Sequence, residues 1–471
     1  MTPAATAAAP EGRLPDGFAV RLDPRTRGRD GGAALLGGSP LRLLRLSPRA
    51  RRLLDGDRLI VRDGTTAALA GRLLDAGLAH PDLPAAAGTD DVTVVVPVKD
   101  RPAAVARLLA ALRADPATAH LPVVVVDDGS ATPVSAAGVR VVRHGTARGP
   151  GAARNAGLRA VTTPFVAFVD SDCVPRPGWL QQLRPHLEDP RLAVVAPRIV
   201  ALPDAGPGWF AAYETATSAL DMGPHPAAVR PGSAVSYVPS AALLARRTAL
   251  GDGFDEAMHV AEDVDLVWRL TAAGWRVRYE PDAEVAHEHP ATTAEWLRRR
   301  AFYGTGAALL AARHGSAVAP LVLAPETALA WGLALSGQRW GRAAAAGVVI
   351  VTVARLAPRL SAPGERPAAG FAALLVARGV GASGRALARS VTRHHWPLAL
   401  PAALVSRRAR RWVVAAAVAD AVLAWWPQRR RVGPVRFAVA RRLEDLAYGA
   451  GLWAGALRAR DVRALLPARP E

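Results

Sequence analysis

The chain has 471 residues, of which 51% are hydrophobic and 5% aromatic, and its formal net charge is +19. This length exceeds one compact core, so we expect two or three domains, and the apolar content excludes a largely disordered protein. The single cysteine, Cys173, excludes an intramolecular disulfide and indicates a reducing compartment. The segment Met1–Pro10 lacks the basic and apolar regions of a signal peptide, which predicts a protein that stays in the cytoplasm.

The positive charge is concentrated in the last third of the chain. Residues 301–471 contain 24 arginines and 7 acidic residues. A basic tail favours nucleic-acid binding in general, but here the arginines alternate with long apolar stretches, whereas a nucleic-acid interface is polar. We therefore expect no nucleic-acid partner, and nucleic-acid binding remains a distant third hypothesis.

The first 88 residues are predicted to form a small separate module. Short leucine-rich segments and the helical pattern of Ala67–Leu78 predict two or three short helices with a hairpin. Asp63-Gly64 is a turn signal between them. The module has the size of a winged-helix domain, and Pro81–Thr89 is typical of a linker.

Residues 89–314 alternate between strand and helix patterns. Val-rich runs that alternate with helices predict an α/β domain with a mostly parallel sheet covered on both faces, in which ligands bind at the carboxyl ends of the strands. The predicted strands are Val92–Val96, Val123–Val126, Val139–Val142 and Phe165–Val169, and the predicted helices are Ala103–Leu112 and Ala152–Ala160.

Polar residues follow two of these strands directly. The strand Phe165–Val169 ends in Asp170-Ser171-Asp172, and residues two apart on an extended segment point to the same side. The two carboxylates therefore face one divalent ion together, or one faces the ion and the other a sugar hydroxyl, unless the triplet is only a polar turn. The second strand ends in Asp127-Asp128-Gly129-Ser130, where a carboxylate suits the N–H of a nucleobase or a ribose hydroxyl.

Two further segments carry candidate chemistry. The glycine-rich segment Gly149–Gly157 opens a helix and lets backbone amides and Arg154 approach an anion, unless it is only a tight turn. Glu262 and Asp263 precede the helical run Val264–Leu270, where an acid acts either as a helix cap or as a general base.

In order and spacing these motifs resemble those of the inverting family 2 glycosyltransferases, which have the GT-A fold. The resemblance covers about Val92–Arg313 and is carried by V-V-V-P-V, V-D-D-G-S, A-R-N-x-G, D-S-D, E-D-V-D-L-x-W-R-L and A-G-W-R-V.

The resemblance implies a role for each matching residue. Asp127 or Asp128 would hold the uracil of a UDP-sugar, Asp172 the metal that bridges the diphosphate, and Asp263 would deprotonate the acceptor hydroxyl. In some relatives a histidine 24 residues after the base completes the metal site; here that residue is His287, with His289 as the spare candidate. Mixed carboxylate and imidazole ligation favours Mn²⁺, with Mg²⁺ as the alternative. The implied donor-binding residues are Pro97, Asp127, Asp128, Arg154, Asn155, Asp170 and Glu262.

The arrangement of the whole chain is similar to that of the glycosyltransferases of the mycofactocin system. The N-terminal module resembles a PqqD-type peptide-binding module, with an unrelated winged helix as the alternative. This resemblance implies UDP-glucose as donor, a modified peptide that becomes a redox cofactor as acceptor, and a β-linked glucose chain as product. The Q-x-x-R-W motif of processive synthases is absent, which argues against long-chain polymerisation across a membrane.

Residues 315–471 are predicted to be a helical, arginine-rich and apolar region. Its apolar stretches are either membrane spans or amphipathic helices at a membrane surface, and we expect the protein at the cytoplasmic side of the cell membrane. True spans would favour an acceptor of the cell envelope, a lipid or polysaccharide. The stretches are Ala317–Leu335, Ala343–Ala354, Ala368–Ala377 and Trp412–Trp426.

Overall fold

The computed structural model describes residues 4–202, 209–361 and 368–470, apart from the side chain of Asp30. The chain forms two compact units. The first takes the described residues before 207 together with Thr217–His289, and the second takes the segment that ends at Ala216 and the chain from Pro290 onward. This division lies before the predicted boundary at residues 314 and 315, and it places the N-terminal module in the same unit as the central sheet.

The N-terminal module contains two small antiparallel sheets and two helices. Its sheets have the strand orders β5-β1-β6 and β2-β3-β4, whereas the sequence predicted a single hairpin. The expected turn at Asp63-Gly64 is instead a helix start, because the Asp63 carboxylate accepts the Thr66 N–H at 2.7 Å. The elements are β1 (Ala19–Leu22), β2 (Arg27–Arg29), β3 (Ala34–Gly37), β4 (Arg42–Arg45), α1 (Pro48–Arg52), β5 (Arg58–Ile60), α2 (Gly64–Asp75) and β6 (Ala79–Pro81).

A nine-stranded sheet forms the centre of the first unit. Its strands are β7 (Val92–Val98), β8 (Val123–Asp128), β9 (Arg140–His144), β10 (Phe165–Val169), β11 (Cys173–Pro175), β12 (Leu192–Ala201), β13 (Ala227–Ala228), β14 (Ala242–Arg246) and β15 (Arg276–His287). Between these strands the chain forms α3 (Pro102–Ala114), α4 (Pro150–Ala160), α5 (Trp179–Leu183), α6 (Ala211–Thr217), α7 (Arg247–Leu250) and α8 (Glu262–Ala272), of which α6 belongs to the second unit up to Ala216.

The sheet is mixed, with a parallel half and a half that contains antiparallel pairs. Its order is β11-β15-β12-β14-β10-β7-β8-β9, with β13 paired to β15. Strands β10, β7, β8 and β9 are parallel, as the continuous valine runs predicted. Strand β14 runs antiparallel to both β10 and β12, so the expectation of a mostly parallel sheet holds for only one half.

Charged contacts connect the N-terminal module to the central sheet within the first unit. The guanidinium of Arg276, on β15, bonds the Asp75 carboxylate at 2.7 Å and the Asp189 carboxylate at 2.8 Å. Arg278, two residues along the same strand, lies 2.7 Å from His80 Nδ1, and His80 Nε2 lies 2.9 Å from the buried Asp23 carboxylate. The pairs Arg276–Asp75 and Arg278–His80 therefore fix the module against β15.

The second unit is helical. Its helices after α6 are α9 (Thr293–His314), α10 (Pro325–Leu335), α11 (Gly341–Leu360), α12 (Ala369–Arg389), α13 (Trp396–Val405), α14 (Arg407–Trp425) and α15 (Pro434–Ala459). Buried ion pairs connect them: Glu214 accepts from Arg300, Glu444 and Asp445 accept from Arg393, and Asp420 accepts from Arg441 at 2.6 Å. Two stretches, Gly341–Leu360 and Ala369–His394, are long and apolar enough to cross a membrane by length and composition.

Candidate active site

The polar ends of three parallel strands meet at one edge of the sheet. Phe168 on β10 lies opposite Val95 on β7, and Val98 on β7 lies opposite Asp127 on β8. The residues that follow these strands therefore come together at the carboxyl edge, where the sequence predicted a ligand site. All the residues described below belong to the first unit.

Asp127 organises the loop that it begins. Its buried carboxylate accepts the N–H groups of Ser130 at 2.9 Å and Val134 at 3.1 Å, and it contacts the guanidinium of Arg143. Burial alone would raise the pKa of Asp127, but these hydrogen bonds hold it below its usual value. Both oxygens of Asp127 are therefore already bonded within the protein.

Asp128 organises the neighbouring segment that leads into α4. Its carboxylate lies 2.7 Å from His144 Nδ1 and accepts the N–H groups of Arg148 at 2.9 Å and Gly149 at 2.8 Å. Burial opposes ionisation, but the bonds from His144 and the two amides lower the pKa of Asp128. Asp128 thus connects the strand β8 to the glycine-rich segment.

Arg154 is the buried cation of the site. Its guanidinium donates to Asp170 at 2.7 Å and to Glu262 at 2.9 Å, and it lies over the ring of Phe254. Burial would lower the pKa of Arg154, but the two carboxylates raise it, so this residue stays protonated. The structure brings the A-R-N motif, the D-S-D motif and the start of α8 together through this one side chain.

Asn155 has a different task from Arg154. Its Oδ1 accepts the Phe254 N–H at 2.8 Å, and its Nδ2 donates to the Phe254 carbonyl at 2.7 Å. Asn155 therefore fixes the loop before α8 through a reciprocal pair of backbone bonds. Gly157, also on α4, allows that helix to approach the sheet, because a Cβ there would lie only 3.2 Å from Val126 Cγ2.

Asp172 and His287, the two candidate metal ligands, lie side by side. Strand β11 pairs with β15 so that Cys173 lies opposite His287, and the Glu288 N–H donates to the Asp172 carbonyl at 3.0 Å. The Asp172 Oδ1 atom is 3.6 Å from His287 Nε2. The ring centroid of His289, the spare candidate, is 6.4 Å from that of His287.

These two donors fit a shared divalent ion. In the described part of the chain no group of three or more His, Cys, Asp or Glu side chains is arranged to hold a metal. The carboxylate oxygen and imidazole nitrogen that lie 3.6 Å apart are nevertheless spaced as two neighbouring ligands of one ion. The remaining coordination positions would then be taken by oxygens from outside the protein, such as those of a diphosphate.

Asp263 has the properties of a general base. It lies in the first turn of α8, directly after Glu262 and the left-handed Ala261, whose φ is 62°. The Asp263 carboxylate accepts its neighbour's amide, Val264 N–H, at 2.8 Å and the Ser240 N–H at 3.3 Å. Burial, and then the adjacent Glu262, raise the pKa of Asp263 to about 7, against the opposing effect of Arg154. A carboxylate with this pKa is suited to remove a proton near neutral pH.

Comparisons with known proteins identify the family. The model of Glycosyl transferase family 2 matches residues 93–251. A pre-mycofactocin glycosyltransferase from Mycobacterium tuberculosis is 48% identical over 97% of this chain and 98% of its own length. The chain belongs to the family 2 glycosyltransferases. The succinoglycan biosynthesis protein ExoO of Rhizobium meliloti is 32% identical over 42% of this glycosyltransferase and 61% of its own length.

Solved structures similar to this glycosyltransferase are more distant. A mannosyltransferase from Pyrobaculum calidifontis, solved with GDP-Man and Mn²⁺, is 18% identical over 74% of this chain and 90% of its own, with a TM-score of 0.38. Residues 1–349 of S. aureus TarS, solved with UDP-GlcNAc, are 16% identical over 79% of this chain and 92% of their own, with a TM-score of 0.35. The family match together with the mixed α/β sheet identifies the GT-A fold.

One charged residue beside Asp172, Arg101, was not predicted as a site residue of this glycosyltransferase. Arg101 directly precedes α3, and its guanidinium lies 3.1 Å from Asp172 Oδ2. Two turns further along α3, Arg107 bonds Glu288 at 2.6 Å. The signal was available, because Arg101 follows the end of β7 just as Asp127 and Asp170 lie at the ends of β8 and β10.

Proposed function

We propose that this glycosyltransferase transfers glucose from UDP-glucose to a peptide-derived redox cofactor of the mycofactocin type and builds a β-linked oligoglucose. The observation that carries the proposal is the 48% identity to the pre-mycofactocin glycosyltransferase, which extends over 97% of this chain and 98% of that protein. Identity over nearly the full length includes the N-terminal module and the helical region as well as the catalytic domain, which supports a shared acceptor in addition to a shared reaction.

Asp263 is the proposed base of the reaction. With its pKa raised to about 7, the carboxylate is partly ionised at neutral pH and accepts the proton of the acceptor hydroxyl. The deprotonated oxygen attacks the anomeric carbon on the face opposite the leaving UDP, so the configuration at that carbon inverts. Ser240 and Val264 support this role because their N–H groups orient the carboxylate.

The donor is proposed to lie along the carboxyl edge of the sheet. Pro97 and the loops organised by Asp127 and Asp128 form the nucleoside end, and Asp170 forms the sugar end. Three further side chains fix the geometry of this proposed site. Arg154 bonds the carboxylates of Asp170 and Glu262, and Asn155 bonds the backbone of the loop before α8.

Asp172 and His287 are the proposed ligands of a divalent ion, Mn²⁺ or Mg²⁺. When bound, such an ion neutralises the negative charge that develops on the diphosphate leaving group. The 3.6 Å separation of the two donor atoms supports this assignment.

The N-terminal module, residues 1–88, is the proposed peptide-binding module, joined to a catalytic domain at residues 89–314 and a helical region at residues 315–471. The contacts of Arg276 and Arg278 with Asp75 and His80 support a fixed position of the module beside β15, the strand that ends in His287. A peptide held by the module would therefore be bound within the same compact unit as the base.

The helical region is proposed to bind the cytoplasmic side of the cell membrane. Helix α14 exposes an apolar stripe with a spacing of four residues, Val414, Val418 and Val422, of which 56%, 57% and 48% of the surface is accessible. Arginine clusters lie at both ends of this stripe, at residues 407–411 and 429–431. An apolar face flanked by cationic groups suits an interface of anionic lipids.

A second candidate function is glycosyl transfer to a lipid or polysaccharide of the cell envelope. Two observations favour it: the candidate membrane spans Gly341–Leu360 and Ala369–His394, and the 32% identity to the succinoglycan biosynthesis protein ExoO. The ExoO match covers only 42% of this chain, so the peptide-derived acceptor remains the first proposal.

The deciding experiment incubates the full-length protein and its Asp263→Asn variant with radiolabelled UDP-glucose, with a cognate modified peptide and, separately, with a membrane lipid extract. Label on the peptide, absent with the variant, is the expected result. Label only in the lipid fraction would support the envelope function and overturn the peptide acceptor. Parallel reactions with GDP-mannose and UDP-GlcNAc test the choice of donor.

A further inference from the structure

Arg101 and His287 lie next to different oxygens of the Asp172 carboxylate. The Asp172 carboxylate lies between two groups: its Oδ2 is 3.1 Å from Arg101 Nη1, and its Oδ1 is 3.6 Å from His287 Nε2. We infer that Arg101 is an exchangeable counterion of Asp172, which a divalent ion displaces and which then pairs with the diphosphate of the donor. This inference rests on the proposed function, because it takes Asp172 as a metal ligand.

The backbone around Arg101 is fixed, whereas its side chain is accessible. The preceding residue, Asp100, has a left-handed φ of 55° and donates its N–H to Ser130 Oγ at 2.9 Å. The Asp100 carboxylate also accepts the Ala131 N–H at 2.8 Å, so the loops after β7 and β8 hold each other. Because 40% of the Arg101 side chain is exposed, its guanidinium is free to change partners while its Cα stays in place.

The two arginines of the site differ in how easily they are exchanged. Only 4% of the Arg154 side chain is exposed, and Arg154 bonds Asp170 and the buried Glu262 at the same time, so its removal would leave the Glu262 carboxylate uncompensated. Arg101, with 40% of its side chain exposed, has one ion pair among the described contacts, to Asp172, and an ion pair with a partner this exposed is weak. The structure therefore combines a permanent cation at Asp170 with a replaceable one at Asp172.

A divalent ion and a guanidinium compete for the same carboxylate. An ion held by Asp172 repels the Arg101 guanidinium, and the phosphate oxygens of a nucleotide diphosphate are the strongest new acceptors for it. Arg101 would thus keep Asp172 neutralised in the free enzyme and contribute to diphosphate binding in the loaded one. Metal binding and nucleotide binding are coupled through Arg101, because both favour the position in which its guanidinium has left Asp172.

The test measures binding of Mn²⁺ alone to the full-length protein by calorimetry, without nucleotide. Arg101→Gln is expected to bind Mn²⁺ roughly two- to fivefold more tightly than the wild type, because the competing cation is gone. Arg101→Lys keeps the charge and is expected to bind Mn²⁺ nearly as the wild type does. Arg107→Gln, on the same helix but paired with Glu288, is the matched control and is expected to leave Mn²⁺ affinity unchanged.

A second measurement follows UDP affinity at saturating Mn²⁺, where Arg101→Gln is expected to bind UDP several-fold more weakly. Unchanged or weaker Mn²⁺ binding by Arg101→Gln would overturn the exchange, and unchanged UDP affinity would overturn the pairing with the diphosphate. Asp172→Ala distinguishes a failure of the metal assignment from a failure of the role of Arg101. If it binds Mn²⁺ as the wild type does, the metal assignment itself is wrong; if it loses Mn²⁺ while Arg101→Gln gains nothing, only the role of Arg101 is wrong.

Discussion

Three carboxylates of the site share the single buried guanidinium of Arg154. Asp170 and Glu262 bond it directly, while Asp263 only experiences its charge and keeps no arginine of its own in the described contacts. Burial raises the pKa of Asp170 and the Arg154 guanidinium lowers it, with a net pKa above the usual value of an aspartate. Asp263, which has no such bond and lies half-buried beside Glu262, has the raised pKa that a base requires.

Replacement of Asp263 by Asn is expected to lower turnover by a factor of roughly 10² to 10⁴, because an amide accepts no proton from the acceptor hydroxyl. UDP-sugar affinity should stay within about twofold, since Asp263 is not a donor ligand in this mechanism. Transfer of radiolabel and calorimetry with UDP measure the two quantities. Asp282→Asn, an exposed acid on β15, is the control; near wild-type turnover of Asp263→Asn would refute the base assignment.

The pH dependence of the reaction should follow the ionisation of Asp263. Its pKa is raised to about 7, so kcat/KM is expected to rise with pH below that value and to level above it. Rates measured between pH 5 and 9 at saturating metal test this expectation. A rate that is flat from pH 5 to 8 would contradict it.

The same pKa shift has a cost in stability. Asp263 is protonated in the folded protein up to about pH 7, whereas its ordinary pKa is about 4. Its contribution to stability is complete below the ordinary pKa and is lost as the pH rises through 7. The melting temperature of Asp263→Asn relative to the wild type should therefore increase between pH 4 and pH 7 and then stay constant. A difference independent of pH would show that the carboxyl titrates normally.

At the scale of elements, glycines decide how closely helices pack. Helices α9 and α15 touch through their backbones: a Cβ on Gly451 would contact the Ala301 carbonyl, and one on Gly455 would lie 2.7 Å from the Thr305 carbonyl. Gly379, inside α12, has nothing within 4 Å of a Cβ. Glycine is thus required at position 451, where two helices touch, and is dispensable at position 379.

Substitution by alanine should have opposite effects on the stability of the protein at Gly451 and at Gly379. Gly451→Ala is expected to destabilise by about 1–3 kcal/mol, because the added methyl group separates α9 from α15. Gly379→Ala should stabilise by roughly 0.5–1 kcal/mol through helix propensity alone. Urea unfolding of the full chain measures both changes. Equal effects of the two substitutions would mean that α9 and α15 do not pack through these backbones.

At the scale of the whole molecule, the apolar face of α14 is the feature that a soluble catalytic domain does not need. Leu404 and Val405, just before α14, are 82% and 88% exposed, which makes them the most accessible large apolar residues of the described chain. The one acid of α14, Asp420, is buried and paired with Arg441, so the exposed face of the helix between the arginine clusters carries no charge.

The double substitution Val418→Asp and Val422→Asp is expected to reduce binding to vesicles of phosphatidylcholine and phosphatidylglycerol at least tenfold, since two charges enter the apolar face. Binding of the wild type should also weaken in 1 M salt, because the arginine clusters are screened. Val141→Asp, an exposed position on β9, is the control in a vesicle sedimentation assay. If the double variant binds vesicles unchanged, or loses only self-association, α14 is not the membrane contact.

The fold prediction succeeded where local patterns suffice. Buried valine runs are visible as strands without any tertiary information, so β7, β8 and β10 were placed within two residues of their bounds. The antiparallel insertion of β14 was not predictable, because strand direction depends on connections across the whole domain. For the six short strands of the N-terminal module the sequence predicted only one hairpin, because segments of three or four residues carry too little periodicity.

The sequence by itself determined the family and supplied the candidate reacting groups, because Asp170, Asp172, Asp263 and His287 belong to motifs that each lie within a few residues. Only the tertiary structure decided which arginine pairs with which carboxylate. Arg154 reaches Glu262 across 108 residues of chain, and Arg101 reaches Asp172 across 71. Such pairings, and the pKa of Asp263 that depends on them, are properties of distances in space, and no local pattern of residues contains them.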